Sequence, residues 1–428
     1  MNFDPQIALD YAASLSRPRR VGSGEEEKVA QEIEERLRNW GYDVERQLFT
    51  FSTAPLVFLT FVVLIAIMLM AIMLLAYERI SGIADAAAIA LLLLVVLFMP
   101  LNHIVQAHAL ERNGRGLKWG RRFTTANLVA RPSLRVQFAT HAPHQTVGGG
   151  SAGEESPSET EIASSLEIAP RNDGLPHLYL VAHCDSKSQR LPLVMRIALF
   201  MLAIIAGLIL VVMTLNDVPS VLYLPIGLLA LAFAIPLLFL DVGNNSPGAI
   251  DNASSVGLVL HLAEVLAQRT DWQDKFQLTI LMPSAEEMTL MGSVAYVTAH
   301  EALLREQERS SGLYVLNFDG VGIDGALYYV GHTHRSQNGD RLSLLARVQK
   351  ACVELNLPLK RFGFIGALFD HIPFAQRGFD AISLIAVGRA SRSVHTLNDS
   401  IDKLHVRGFD QAGRVVLRVI DQLVGETT

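Results

Sequence analysis

Four long apolar runs constrain this chain more than any other feature of its sequence. They cover residues 55–77, 83–105, 192–215 and 219–240. Each approaches the ~20 residues that carry a helix across a bilayer core. The first, PLVFLTFVVLIAIMLMAIMLLAY, holds no charge at all. The other three carry Asp85, Arg196, Pro225 or Pro236 inside them or near an end, so a buried core helix remains the competing reading. Composition favours the bilayer. Half of the residues are hydrophobic, 18% are charged, and the mean hydropathy is +0.31.

A short loop joins the runs of each pair, so each pair reads as a helical hairpin that returns the chain to the side it left. The remaining sequence then lies on one face of the membrane. Arg112, Arg115, Lys118, Arg121 and Arg122 follow the second run, and Lys187, Arg190 and Arg196 precede or open the third. The hairpin tips hold only Arg79. The positive-inside rule therefore assigns the non-membrane part to the cytoplasm. The opening stretch MNFDPQIALDYAASLSRPRR has no apolar core behind a basic start, so targeting is expected from the internal segments.

The 428 residues exceed what one hydrophobic core usually needs, so two or more structural units are expected. A net charge of −6 gives no reason to expect nucleic acid. Cys184 and Cys352 are the only cysteines, and neither lies in a C-x-x-C pattern. A disulfide framework and a thiolate metal site are thereby disfavoured.

The segment SGEEEKVAQEIEERLRNWG reads as a helix. Ser23 and Glu26 form a capping-box pattern, Val29, Ile33 and Leu37 share one face, and Gly41 is the stop. VERQLFTF and TANLVARP read as neighbouring strands on either side of the first hairpin. Residues 138–175 turn polar and Gly/Ser/Glu/Pro-rich, the signature of a disordered loop. From Gly243 onward, short apolar strands (FQLTILMP, LYVLNFDG, ALYYVG, AISLIAVG) alternate with helical patterns (SSVGLVLHLAEVLAQ, RLSLLARVQKACVELN). This alternation predicts an α/β fold with a largely parallel core sheet flanked by helices.

Three strands deliver chemistry to one edge. LYLVA ends on His183 and Asp185, LTILMPSA on Glu286 and Glu287, and LYVLNF on Asp319. Ligands of open α/β sheets bind beyond the carboxyl ends of the strands. Asp251 stands where a Gly/Asn/Pro loop enters an apolar helix, a place that also suits a plain N-cap. His395 follows the AISLIAVG strand. Each residue alone has an ordinary structural reading. Together, two imidazoles and several carboxylates suit zinc, and carboxylates can bridge two metals. His332 and His334 in VGHTHRS have a ligand-like spacing but read as rim residues. His103, His108, His141 and His144 lie near the membrane or in the polar loop. Cys184 is expected to point away from its two neighbours.

In their order along the chain, AHCDS, GAIDNAS, SAEEMTLMGS, NFDGVG, FDHIPFAQRGFDA and HTLNDSIDKL resemble the co-catalytic dizinc aminopeptidases. Relatives of that family include glutaminyl cyclases, glutamate carboxypeptidases and the non-enzymatic transferrin receptors. The resemblance spans roughly 178–404, and the helix and strand near 23–52 fit the family's opening. It implies a zinc-exopeptidase-like mixed, largely parallel sheet with four transmembrane helices inserted as two hairpins. The peptidase domain would comprise 1–54, 106–190 and 242–428, interrupted by hairpins at 55–105 and 191–241.

The resemblance also implies roles. His183 and Asp319 would hold one zinc, Glu287 and His395 the other, and Asp251 would bridge them. Glu286 would be the general base, and Asp185 would orient His183. Asp370 and His371 would lie beside the substrate without ligating metal. Cobalt or manganese are possible substitutes for zinc. The implied partners are peptide or protein N-termini and the lipid bilayer.

Two departures flank the site: Thr289 and Ser255 stand where the family often has glycine. A larger one is the 66 positions from Asp185 to Asp251, where soluble members use a short loop. The second hairpin fills it, so the site is expected close to the bilayer surface. A full ligand set with its base favours hydrolysis over a scaffold, and two metals favour it over a single-zinc cyclase. Carboxypeptidase activity remains open, because the motifs report metals and not which peptide end is held.

Overall fold

The computed structural model describes residues 3–76, Leu92, 120–133, 174–216, 218–239, 242–331, 341–363 and 367–426. The second apolar run apart from Leu92, Arg79, residues 112–118, the polar stretch through residue 173, His332 and His334 lie outside them.

Eight strands form one sheet in the order β1-β2-β4-β3-β5-β8-β6-β7. They are β1 (Tyr42–Ser52), β2 (Arg122–Pro132), β3 (His177–Val181), β4 (Gln277–Met282), β5 (Leu313–Asp319), β6 (Ala326–Val330), β7 (Leu359–Arg361) and β8 (Asp380–Val387). The four central strands, β4, β3, β5 and β8, run parallel. The expected pairing of VERQLFTF with TANLVARP is found: β1 and β2 are antiparallel with Val44 opposite Ala130. β7 has three residues and no alternating pattern to announce it.

Helices cover both faces. On one side lie α1 (Pro5–Leu15), α2 (Gly24–Asn39), α6 (Ser255–Ala267), α8 (Leu344–Glu354) and α10 (Val406–Glu426); on the other lie α7 (Met291–Ser310) and α9 (Ile372–Gln376). β3 shows the division. Leu178 and Leu180 join the core under α6 and α10, while Tyr179 and Val181 join Tyr296 and Phe374 beneath α7 and α9. Strand alternation thus feeds two cores from one sheet.

Helix α2 begins as expected, with Ser23 Oγ accepting from Glu26 N. The other half of the capping box is absent. Glu26 accepts from Gly22 N, and its second oxygen accepts from Thr125 and Ser284 hydroxyls. A buried carboxylate with three donors in reach is better satisfied there than by its own helix start.

Helices α3 (Ala54–Ala76), α4 (Leu193–Leu215) and α5 (Ser220–Ala234), with a 3-10 turn at Ile235–Phe239, match the first, third and fourth apolar runs. They pack on one another through Val62, Met70, Leu210, Tyr223 and Ala230. Gly227 permits the close α5–α3 contact, since a Cβ there would meet Leu74 at 2.3 Å. The outward sides stay bare: Leu75 is 84% and Val221 74% exposed.

Candidate metal centre

Every candidate ligand sits just past the carboxyl end of a central parallel strand, or on the loop facing those ends. His183 and Asp185 follow β3, Glu286 and Glu287 follow β4, Asp319 ends β5, and His395 follows β8. Asp251 precedes α6 and is turned toward them. The side chains of His183, Glu286 and Asp319 form one group and those of Asp251, Glu287 and His395 another, with ligand atoms of each group within 4.8 Å of one another. The sequence reading separates Glu286 from the ligands as a base. The geometry groups it with His183 and Asp319.

Asp251 joins the groups. Its Oδ1 lies 3.1 Å from His183 Nε2 and its Oδ2 2.9 Å from His395 Nε2. Asp185 ties His183 to the glutamates: its Oδ1 is 3.4 Å from His183 Nδ1, and its two oxygens accept from the backbone N–H groups of Glu286 (3.2 Å) and Glu287 (3.3 Å).

Charge is crowded here. Burial disfavours an imidazolium at His183, but Glu286, Asp185 and Asp251 outweigh it and raise its pKa well above 6.5. Burial raises the Glu286 carboxyl well above its usual range; His183 opposes this, while Glu287, Asp370 and Asp319 add to it. Asp319 is raised by burial and then by Asp251. Asp251 and Glu287 go the other way. Burial opposes ionisation of both, but the two histidines pull Asp251 down, and Lys187 with His395 pulls Glu287 down.

The residues fit a divalent metal. His183 Nδ1 and Nε2, Asp251 Oδ1 and Glu287 Oε1 are buried without a hydrogen-bond partner. Such atoms are costly unless something else satisfies them. Imidazole nitrogens and carboxylate oxygens without thiolate form a zinc-competent set.

Several further residues shape the centre. Asn252 accepts from Gly320 N and donates to the Phe318 carbonyl, fastening the Asp251 loop to the end of β5. Asp399, buried and with its pKa pushed by burial to about 7, accepts from Ile250 N at 2.6 Å and Asp251 N at 3.4 Å. The buried Arg19 guanidinium donates to the carbonyls of Cys184, Pro247 and Gly248. Lys187 pairs with Glu287, and Arg196, in the first turn of α4, lies 3.2 Å from His395 Nδ1. Of these, Asn252 lies in GAIDNAS and Asp399 in HTLNDSIDKL, two of the stretches that carry the family resemblance, whereas Arg19, Lys187 and Arg196 lie in none.

Asp370 and His371 are both buried. Burial raises Asp370 to about 6, and His371 Nδ1 is 2.6 Å from Ser383 Oγ. Cys184 turns away as expected, its thiol donating to the Pro283 carbonyl. Backbone strain gathers at the site. Ala285, Thr289, Leu290 and His395 have φ of 59°, 75°, 63° and 65°. A left-handed Thr289 gives a physical reason why glycine suits that position.

The profile of peptidase family M28 matches residues 166–420. Aminopeptidase YwaD of Bacillus subtilis is 28% identical over 200 residues, which span 42% of this chain and 38% of that protein. Among solved structures, the aminopeptidase of Aneurinibacillus sp. strain AM-1 superposes with a TM-score of 0.53 at 17% identity, covering 98% of this chain and 93% of that one. Porphyromonas gingivalis glutaminyl cyclase gives 0.51 at 14% identity, covering 98% of each. These likenesses bear on the fold.

Proposed function

The chain belongs to peptidase family M28, and on that premise we propose that it is a membrane-anchored zinc exopeptidase that hydrolyses the N-terminal peptide bond of its substrates. The observation that carries this reading is the Asp251 carboxylate, whose two oxygens face two imidazoles at 3.1 and 2.9 Å. His183 and Asp319 would hold one ion, Glu287 and His395 the other, and Asp251 both. Cobalt or manganese would suit the same donors. Bound there, two zinc ions would polarise the scissile carbonyl and acidify the attacking water.

The chain's own residues do the rest. Glu286 takes the proton from the attacking water and returns it to the leaving amine. Its raised pKa, caused first by burial and then by neighbouring carboxylates, suits a group that must both accept and release a proton near neutral pH. Asp185 keeps the His183 ring in register and holds the Glu286–Glu287 backbone through two N–H groups. Asp370 and His371 border the space for substrate.

The membrane part of the reading rests on α3, α4 and α5. Val194–Leu215 and Ser220–Phe239 are long and apolar enough to cross a bilayer, and only 33% and 28% of their most apolar stretches are buried. The run at 83–105 would complete the first hairpin. Arg121, Arg122, Lys187 and Arg190 on the sheet side favour a cytoplasmic peptidase domain. The polypeptide passes from Asp185 into α4 within a few residues, so the site would open near the bilayer surface.

The test is hydrolysis of an aminoacyl-fluorophore panel by full-length protein in detergent, with and without chelator, beside Glu286→Gln, with metal content assayed. Metal-dependent cleavage that vanishes in the variant, with two zinc ions bound, supports the reading. Cleavage confined to N-blocked peptides would convert it to a carboxypeptidase, and cyclisation of N-terminal glutamine to a cyclase. No bound metal and no activity would sink it.

A further inference from the structure

The two halves of the metal centre are not electrically alike. Around the first, Glu286, Asp319 and Asp251 face a single histidine, His183. No lysine or arginine among the described residues makes an ion pair with Glu286 or Asp319. Around the second, each outer ligand already has a cationic neighbour. The Lys187 ammonium pairs with Glu287 Oε2, and the Arg196 guanidinium sits 3.2 Å from His395 Nδ1.

These contacts oppose a bound ion in two ways. Lys187 occupies an oxygen of the carboxylate that the ion would need and repels it. Arg196 acts through the imidazole. A guanidinium can only donate, so in the neutral ring Nδ1 accepts and the proton sits on Nε2. Nε2 is the nitrogen aimed at Asp251 Oδ2 (2.9 Å) and Glu287 Oε1 (3.3 Å). A cation held through Nε2 needs that nitrogen bare, with the proton moved to Nδ1 and Arg196 displaced. The first position asks for neither change.

The cations come from one place. Lys187 and Arg196 bracket the segment that leaves β3 for α4, and that segment is stitched to the site. Gln189 N donates to the His395 carbonyl at 2.9 Å, and Ser188 bridges to Gly243.

Building on the two-metal reading above, we propose that Lys187 and Arg196 form a resident counter-charge at the Asp251–Glu287–His395 position, so that the two positions take up divalent metal unequally. The His183–Asp319 position fills first and tightly. The other fills second and weakly, by displacing the two side chains.

Zinc titration of the metal-free full-length protein in detergent, against a chromophoric chelator, tests this without measuring activity. The wild type should show two steps at least about tenfold apart in affinity. His183→Ala should remove the tight step and His395→Ala the weak one. Lys187→Met should tighten the weak step about tenfold or more and leave the tight step in place, since loss of one buried like charge is worth at least that. Arg196→Gln should move the same step in the same direction and serves as the second variant should Lys187→Met unfold. Thermal unfolding of each metal-free variant checks that it folds. Two coincident steps in the wild type, loss of the tight step in His395→Ala, or a weak step unmoved by both substitutions would each overturn the inference alone. Absence of any zinc step in the wild type would overturn the two-metal reading and this inference with it.

Discussion

Two regions of this molecule break the same rule in opposite ways. At the strand ends, buried polar atoms of His183, Asp251 and Glu287 make ion-pair contacts but no hydrogen bond. Where α3, α4 and α5 pack together, large apolar side chains such as Leu75, Val221 and Leu228 stay exposed among the described residues. Each defect names the kind of partner that would repair it: cations in the first region, an apolar surrounding in the second. Helix α6 shows that apolarity alone does not make a bundle helix. Together with the turn that enters it, α6 covers Ala249–Ala267 and also has the length and hydropathy to span a bilayer, yet 89% of its most apolar stretch is buried in the sheet domain, against 33% and 28% for Val194–Leu215 and Ser220–Phe239. Surroundings, not composition, separate a core helix from a span candidate.

The comparison breaks most visibly at Glu286. Glu286→Gln should cost about 10³-fold in kcat/KM, the general-base contribution, while zinc content stays unchanged. Loss of bound metal in that variant would make Glu286 a ligand rather than a base, as its grouping with His183 and Asp319 allows.

Paired alanine substitutions sharpen the contrast between helices. Leu260, fully buried in α6, should cost about 3 kcal/mol on truncation to alanine. Leu228, 55% exposed on α5, should cost under about 1 kcal/mol, since its bare side adds little packing. Equal losses in detergent denaturation would mean that α5 is a core helix after all.

Metal removal should act on the first region only. At zinc about 100-fold above the dissociation constant, chelation should lower the stability of the sheet domain by about 2.7 kcal/mol and leave the helicity of the bundle intact. Circular dichroism and differential scanning fluorimetry of the same samples would separate the two.

The pH response carries a sign. His183 and His395 have folded-state pKa values raised above 6.5; burial opposes this at both, and carboxylates overcome it. Their protonation stabilises the metal-free protein below pH 6.5 and is lost as pH rises through the higher folded values. Metal-free protein should therefore lose stability as pH climbs above neutrality. Zinc competes with the same protons, so its affinity should still be rising there, past the point where an ordinary imidazole has finished titrating. A metal-free melting temperature flat from pH 6.5 to 9 would contradict the charge balance described for the centre.

The smallest effect concerns strain. Thr289 adopts φ 75°, and its hydroxyl is buried without a partner. Thr289→Gly should stabilise the protein by about 1 kcal/mol, the usual cost of a left-handed non-glycine residue. A destabilised variant would show that the threonine side chain packs better than its backbone suffers.

Much of this was legible in the sequence. Alternation announced β1, and short apolar runs announced β3, β4, β5, β6 and β8, because a strand covered on both faces is apolar at nearly every position. Ser23 announced the start of α2. The strand-end motifs brought His183, Asp185, Glu286, Glu287 and Asp319 to one edge, since parallel strands present their carboxyl ends together, while the ligand roles came only from the family resemblance. What the sequence left open involves partners far apart along the chain. Asp399 reaches Ile250 across 149 positions and Arg196 reaches His395 across 199; no local period encodes either contact. The same holds for the redirected Glu26 and for Asn252 and Arg19, whose roles exist only once distant loops meet.

The sequence by itself thus determined which segments are apolar, that the core sheet is largely parallel and which side chains stand at strand ends, because these depend on local periodicity and chain order. Only the tertiary structure decided which apolar helix is enclosed, which carboxylate faces both histidines and which cations stand against the second position. Those outcomes depend on distances between segments, and burial and electrostatic coupling are set by distance in space rather than along the chain.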